Sequence, residues 1–138
     1  MTVEEKVIEK IRKVLIADAT LEPYLNTRVY ASHISSILEP KFPAVSIFQL
    51  PSRQWDRVPE VYQVRLQIDA WFPSDAYNMT DIYAVLDRIR ALLHRQDLTD
   101  IDIGVVVYNS AQVESGPLLY EEETQLLHLP ALFEMVAK

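Results

Sequence analysis

The chain has 138 residues, 49% of them hydrophobic and 24% charged, the balance of a globular protein that buries one core without staples. It has no cysteine, which excludes disulfides, thiolate metal sites and cysteine nucleophiles. There are 20 acidic residues against 13 basic ones, for a net charge of −7, and the basic cluster Arg88, Arg90, His94 and Arg95 has the acids Asp81, Asp87 and Asp97 around it, which argues against direct binding to nucleic acid.

Thr2-Val3-Glu4-Glu5 is a capping box, and Val7, Ile8, Ile11, Val14 and Leu15 follow at helical spacing, so a first helix is predicted over Val3 to Ala17. Thr20 to Leu25 reads as a turn or short helical piece, and Arg28 to Ala31 as a short extended one. Ser32 to Phe42 reads as irregular. Ala44 to Leu50 alternates as a strand, and Pro51 to Pro59 is a polar linker, long for a hairpin loop. Val61 to Phe72 is the longest alternating run: Tyr62, Val64, Leu66, Ile68, Ala70 and Phe72 fall on one face, and Gln63, Arg65, Gln67 and Asp69 on the other. A period of two predicts a strand with one buried face and one wet or partner-covered face.

Ser74 is the expected N-cap of a second helix, Asp75 to about Arg95, whose apolar stripe is Met79, Ile82, Tyr83, Leu86, Ile89 and Leu93. Ile101, Ile103, Val105 and Val107 alternate with less apolar neighbours and predict a strand continuing irregularly to Val113. Ser115-Gly116-Pro117 is a turn, and Glu121 to Glu123 an acidic loop. Leu126 to Val136 is a last strand with two apolar faces: Leu127, Leu129, Ala131, Phe133 and Met135 on one, Leu126, Leu132 and Val136 on the other. Pro130 lacks a ladder donor, which predicts an edge strand or a bulge. The order α-β-β-β-α-β-β, with few crossovers, predicts one α+β domain over residues 1–138: a largely antiparallel sheet of four to five strands with two helices on one face.

Catalytic and metal motifs are missing from the pattern. Two glycines, Gly104 and Gly116, do not make a phosphate loop, a dinucleotide fingerprint or a nucleophile elbow. His33, His94 and His128 have no metal-ligand spacing; His94 reads as a cation at a helix C-terminus. Asp97, Asp100 and Asp102 do not fit a calcium loop, since with Asp100 at position 1 the required glutamate position holds Ala111. These are read as turn acids. No cofactor and no metal are expected. Large side chains on polar segments are the candidates for subunit or partner contact: Trp55 with Arg53 and Arg57 in the linker, Trp71 on the polar face of the long strand, and Leu126 and Leu132 on the second face of the last strand.

No apolar run approaches the roughly 20 residues of a membrane span. Met1 to Lys6 has no basic-then-apolar signal, so the expectation is a protein that stays in the cytoplasm of the cell that makes it.

Several patterned segments resemble one family. They are the starting helix, then Arg28-Val29-Tyr30, then Phe42-Pro43-Ala44-Val45-Ser46-Ile47. The long strand running into the helix Asp75 to Leu93 follows, and Leu119-Tyr120-Glu121 leads to Leu127-His128-Leu129-Pro130-Ala131-Leu132-Phe133. The chain resembles the tail terminator (tail completion, head–tail joining) proteins of long-tailed bacteriophages and prophages. Pro130 and the scarcity of glycine depart from the family pattern. The resemblance implies a non-enzymatic virion part made in the bacterial cytoplasm and carried in the tail. Its expected form is a hexameric ring that ends tube growth and gives a head-docking surface. Its expected partners are the tail tube protein and the head connector, with DNA passing nearby without specific binding. Two other classes stay open at this point: another small α+β interaction module, such as a connector or baseplate part or a sheet-edge homodimer, and an enzyme or ligand binder whose site forms only in three dimensions.

Overall fold

The structure is a computed structural model that describes residues 1–32, 37, 39–55 and 58–138. Helix α1 is Val3–Ala17, and its N-terminus closes as the capping box requires: the Glu5 amide donates to Thr2 Oγ1 (3.1 Å) and the Thr2 amide to Glu5 Oε2 (2.6 Å). A one-turn helix α2, Glu22–Leu25, leads to a two-residue strand β1, Val29–Tyr30. Strands β2 (Ala44–Gln54) and β3 (Tyr62–Pro73) form a hairpin, helix α3 is Met79–Leu93, and strands β4 (Val107–Ser115), β5 (Leu119–Glu121) and β6 (Leu126–Ala137) complete the chain.

The strands form one α+β sheet in the order β1-β2-β3-β6-β4, with β5 also paired to β6. Among the described residues only β1 and β2 run parallel. The β3–β6 ladder is unbroken from Tyr62 opposite Ala137 to Pro73 opposite Leu126. Residues directly opposite share a face. Val64, Leu66, Ile68, Ala70 and Phe72 therefore join Met135, Phe133, Ala131, Leu129 and Leu127, with Val45 and Ile47 of β2, under the helices. Val7, Ile11 and Leu15 of α1 and Ile82, Val85, Leu86, Ile89 and Leu93 of α3 fill the same core, so both helices lie on one face as expected.

Four sequence expectations are corrected. The last strand is not at an edge: β6 is central, and the irregularities sit on β4, at Tyr108 and Val113. Pro130 is tolerated because its backbone faces the gap between β4, which ends opposite Ala131, and β5, which begins opposite His128. Its carbonyl accepts the Gly116 amide (2.8 Å) in that gap. Second, β2 absorbs much of the polar linker, continuing to Gln54 through a register shift between Leu50 and Arg53 where Pro51 sits. Third, α3 begins at Met79, not Asp75. Asn78 and Asp81 form its capping box, while the Ser74 amide donates to Gln125 O (3.0 Å) and Tyr77 packs edge-on against Phe72 at 5.0 Å. Fourth, residues 101–104 are a turn and not a strand, leaving Ile101 89% exposed. The turn closes on Asp100 O, which accepts the Gly104 and Val105 amides, and Gly104 takes φ +83°, a conformation a side chain would strain.

Phe133 is fully buried at the centre of the helix-covered face. Phe133→Ala is expected to cost about 3–5 kcal/mol of unfolding free energy, read as a lower urea midpoint with an unchanged slope.

Candidate interaction face of the sheet

The face away from the helices carries the side chains that alternate with the core. Ala44, Ser46, Phe48 and Leu50 come from β2, Gln63, Arg65, Gln67, Asp69 and Trp71 from β3, and Val136, Glu134, Leu132, Pro130, His128 and Leu126 from β6. The polar members hold one another. Arg65 Nε donates to Glu134 Oε1 (3.3 Å), and Gln63 Nε2 to Glu134 Oε2 (3.0 Å). Gln67 Nε2 donates to both oxygens of the buried Asp69 (3.0 and 3.2 Å).

Trp71 stands opposite Ala44 on one side and His128 on the other. Its indole N–H donates to Ser46 Oγ (2.9 Å), and its ring stacks on His128 with centroids 3.9 Å apart and planes 5° from parallel. His128 Nε2 approaches Asp69 Oδ2 at 3.3 Å without hydrogen-bond alignment. Trp71 is only 6% exposed. Three strands thus converge on one aromatic and polar cluster, which no sequence spacing announces.

Beside this cluster lies an open groove of about 700 Å³. Phe42, Trp71, Pro73 and Leu126 give it apolar walls, Ser46 and Asp69 a polar floor, and Asp75 and Glu121 an acidic mouth. Leu126 is 6% exposed and belongs to the wall, while Leu132 is half-buried further along β6. At the other end of the sheet, Trp55 (39% exposed) and Val58 form the apolar tip of the β2–β3 hairpin. Arg53 lies nearby, its Nε donating to Gln63 Oε1 (2.7 Å). The candidate Arg57 and the histidine His33 lie outside the described residues. The structure therefore brings Trp71 and Leu126 together and keeps Trp55 and Arg53 apart from them.

Charge on the helix side does structural work. Asp100 Oδ2 accepts from Lys13 (2.9 Å) and Lys10 (3.0 Å) of α1, and its Oδ1 accepts the Asp102 and Ile103 amides. The Lys13 ammonium, the Ile103 amide and the Lys10 ammonium hold the Asp100 carboxyl far below the usual carboxylate range. Asp18, at the end of α1, receives a bidentate fork from Arg88 of α3 (2.7 and 3.1 Å), which also lowers its carboxyl pKa. At the helix end His94 is tied down: its Nδ1 accepts the Gln112 amide (3.0 Å) and links α3 to β4. Among the described residues no three histidine, aspartate or glutamate side chains converge to hold a metal ion.

The family model described as "Tail completion protein gp17" matches residues 9–136, which takes in the sheet up to Val136 and the C-terminal nine residues of α1. The chain belongs to the tail completion protein gp17 family. It is a structural protein of phage tail assembly. No curated protein matches it. A chain of the solved virion of a native gene transfer agent (GTA) particle shares the fold of this tail completion protein, with a TM-score of 0.68 and 13% identity over 94% of this chain and 92% of that one.

Both acids have native pKa values below their unfolded ones, so their contribution is complete above the unfolded carboxylate pKa of about 4 and is lost as pH falls through the native values. Thermal melts should therefore hold steady from pH 7 to about 5 and drop below about 4. Asp100→Asn is expected to lower the midpoint at pH 7 and to narrow the difference between pH 7 and pH 3. An unchanged difference would remove Asp100 from the acid response.

Proposed function

We propose that this tail completion protein forms a ring on the head-proximal end of the tail tube, ends tube growth and offers the head its docking surface. The observation that carries the reading is the family match over residues 9–136, which spans most of the chain. Three features support it. The sheet face away from the helices holds a groove and half-buried apolar side chains such as Leu132, which suits contact with neighbouring subunits. The hairpin tip presents Trp55 and Val58 to solvent, large apolar groups of the kind that anchor interfaces. The net charge of −7 suits a surface past which DNA moves without being held.

On this reading the subunits number six, the chain acts as one domain, and the partners are the tube protein on one side and the head connector on the other. The protein is made in the cytoplasm of the bacterial host and ends in the virion tail. Its work is assembly, with no chemical step.

Mass photometry and negative-stain imaging, with and without tail tubes purified from particles lacking this protein, test the reading. Six-fold rings with an open centre on the tube ends are expected; a discrete dimer in both conditions would replace the ring with a sheet-edge module. Leu132→Asp is expected to reduce assembly by about tenfold, the effect of losing about 1.4 kcal/mol of contact, with the circular dichroism of the subunit retained. Amides of residues 54–61 should gain protection from hydrogen exchange on assembly.

A further inference from the structure

We propose that the hairpin tip of one subunit seats in the Trp71 groove of a second copy of this chain, Trp55 and Val58 against the apolar walls and Arg53 against Asp75 and Glu121. This rests on the ring reading above and specifies the contact that makes the ring.

The argument begins with two surfaces that the isolated chain leaves unmatched. At the tip, Glu60 lies 3.9 Å from Lys138, but Arg53 is held only by the neutral Gln63 and has no acidic partner among the described residues. At the groove, among the described residues, Asp75 has no cationic partner, Glu121 accepts from the Thr124 hydroxyl (3.1 Å) and from no cation, and no lysine or arginine lines the space. An unmatched cation beside an exposed tryptophan thus has its complement in an apolar groove with an acidic mouth. The groove volume of about 700 Å³ falls in the range that takes in groups much larger than one side chain. Trp71 supplies an aromatic wall for a ring or a guanidinium.

Geometry then decides whose tip it is. The groove opens where β3 ends, at Trp71 and Pro73, whereas the tip projects from where β3 begins, at Tyr62. Twelve strand residues at about 3.3 Å each hold the two roughly 35 Å apart. A chain cannot fold its own tip into its own groove. Donor and acceptor patches at opposite ends of one molecule make a head-to-tail contact, which closes into a ring when the rotation between copies permits and otherwise runs on as a filament. Arg53 lies opposite Gln63, on the same sheet face as the groove, so the tip presents its charge on the side that bears the acceptor.

The chain lacks cysteine, so introduced cysteines report contact without background. Full-length Val58→Cys and Glu121→Cys proteins are mixed in equal amounts, in solution and on tail tubes purified without this protein. They are air-oxidised, and the three disulfide species are quantified. The tip-to-groove species is expected to exceed either homodisulfide by about tenfold, the mark of a raised effective concentration. Arg53→Glu in the tip partner should lower that excess, and Asp75→Lys in the groove partner should restore it, with circular dichroism checking that each variant is folded. A statistical mixture of the three species on tubes that carry six-fold rings would overturn the docking mode and leave the ring reading standing. The same mixture on tubes without rings would overturn both. A tip cysteine that joins only the tube protein would overturn the pairing of copies and give the tip a different occupant.

Discussion

The unbroken pairing of β3 with β6 is the constraint on which the rest of the molecule depends. Twelve residues of each strand are locked in register, and every second one is apolar on the helix side. A slip of β3 by one residue would place Phe72 on the face that now bears Asp69 and Arg65, and would bury those charges under the helices. Register is therefore fixed by burial, and with it the position of every residue on the opposite face. Trp71 meets His128, Asp69 meets Pro130 and Arg65 meets Glu134 because Leu66, Ile68 and Ala70 have only one place to go.

The helices answer a different need. An apolar sheet face must be covered, and α1 and α3 cover it side by side, so their own junction has to be fixed as well. The fork from Arg88 to Asp18 joins the end of α1 to the middle of α3. Lys10 and Lys13 clamp the other flank of α1 to the turn at Asp100. These bonds lie near the surface, so each is modest at neutral pH. Their value is positional: they set the angle at which the stripes of Val7-Ile11-Leu15 and Ile82-Leu86-Ile89 meet the sheet.

What was legible in the sequence was local. The capping box at Thr2 and Glu5, the alternation of β3 and the apolar stripe of α3 each declare themselves within a few residues and appear in the structure, except that Met79 and Tyr83 of the stripe are exposed and Val85 is buried in their place. The failures had long-range causes. Ser74 and Asn78 are both chemically good caps. The choice of Asn78 follows from Tyr77 packing back on Phe72 and Ser74 bonding across to Gln125. Ile101 and Ile103 alternate like a strand, yet Asp100 is drawn into a turn by lysines 87 and 90 positions earlier in the chain. Pro130 pointed to an edge because the gap it faces is made by two other strands, one stopping and one starting. The Trp71 cluster was half legible: its place on the polar face follows from alternation, but its neighbours Ser46 and His128 come from strands 25 and 57 residues distant in sequence.

The helix-covered face of the sheet holds the fold, and the opposite face carries the proposed contacts. Phe133 and Phe72 hold the fold together, and nothing about them is visible from outside. The opposite face is satisfied along its middle, where Arg65, Glu134, Gln63 and Gln67 bond among themselves, and unmatched at its ends, where the groove and the hairpin tip lie. That distribution has a physical consequence for a protein of net charge −7. Copies repel one another at long range, more so at low salt, and must find short-range complementarity to associate at all. In the proposed docking, Arg53 and Trp55 of one copy meeting the acidic groove of the next would supply that complementarity between opposite ends of neighbouring copies. A head-to-tail contact of that kind would run in one direction around an assembly, whose extent is set by the angle between copies rather than by the strength of each contact.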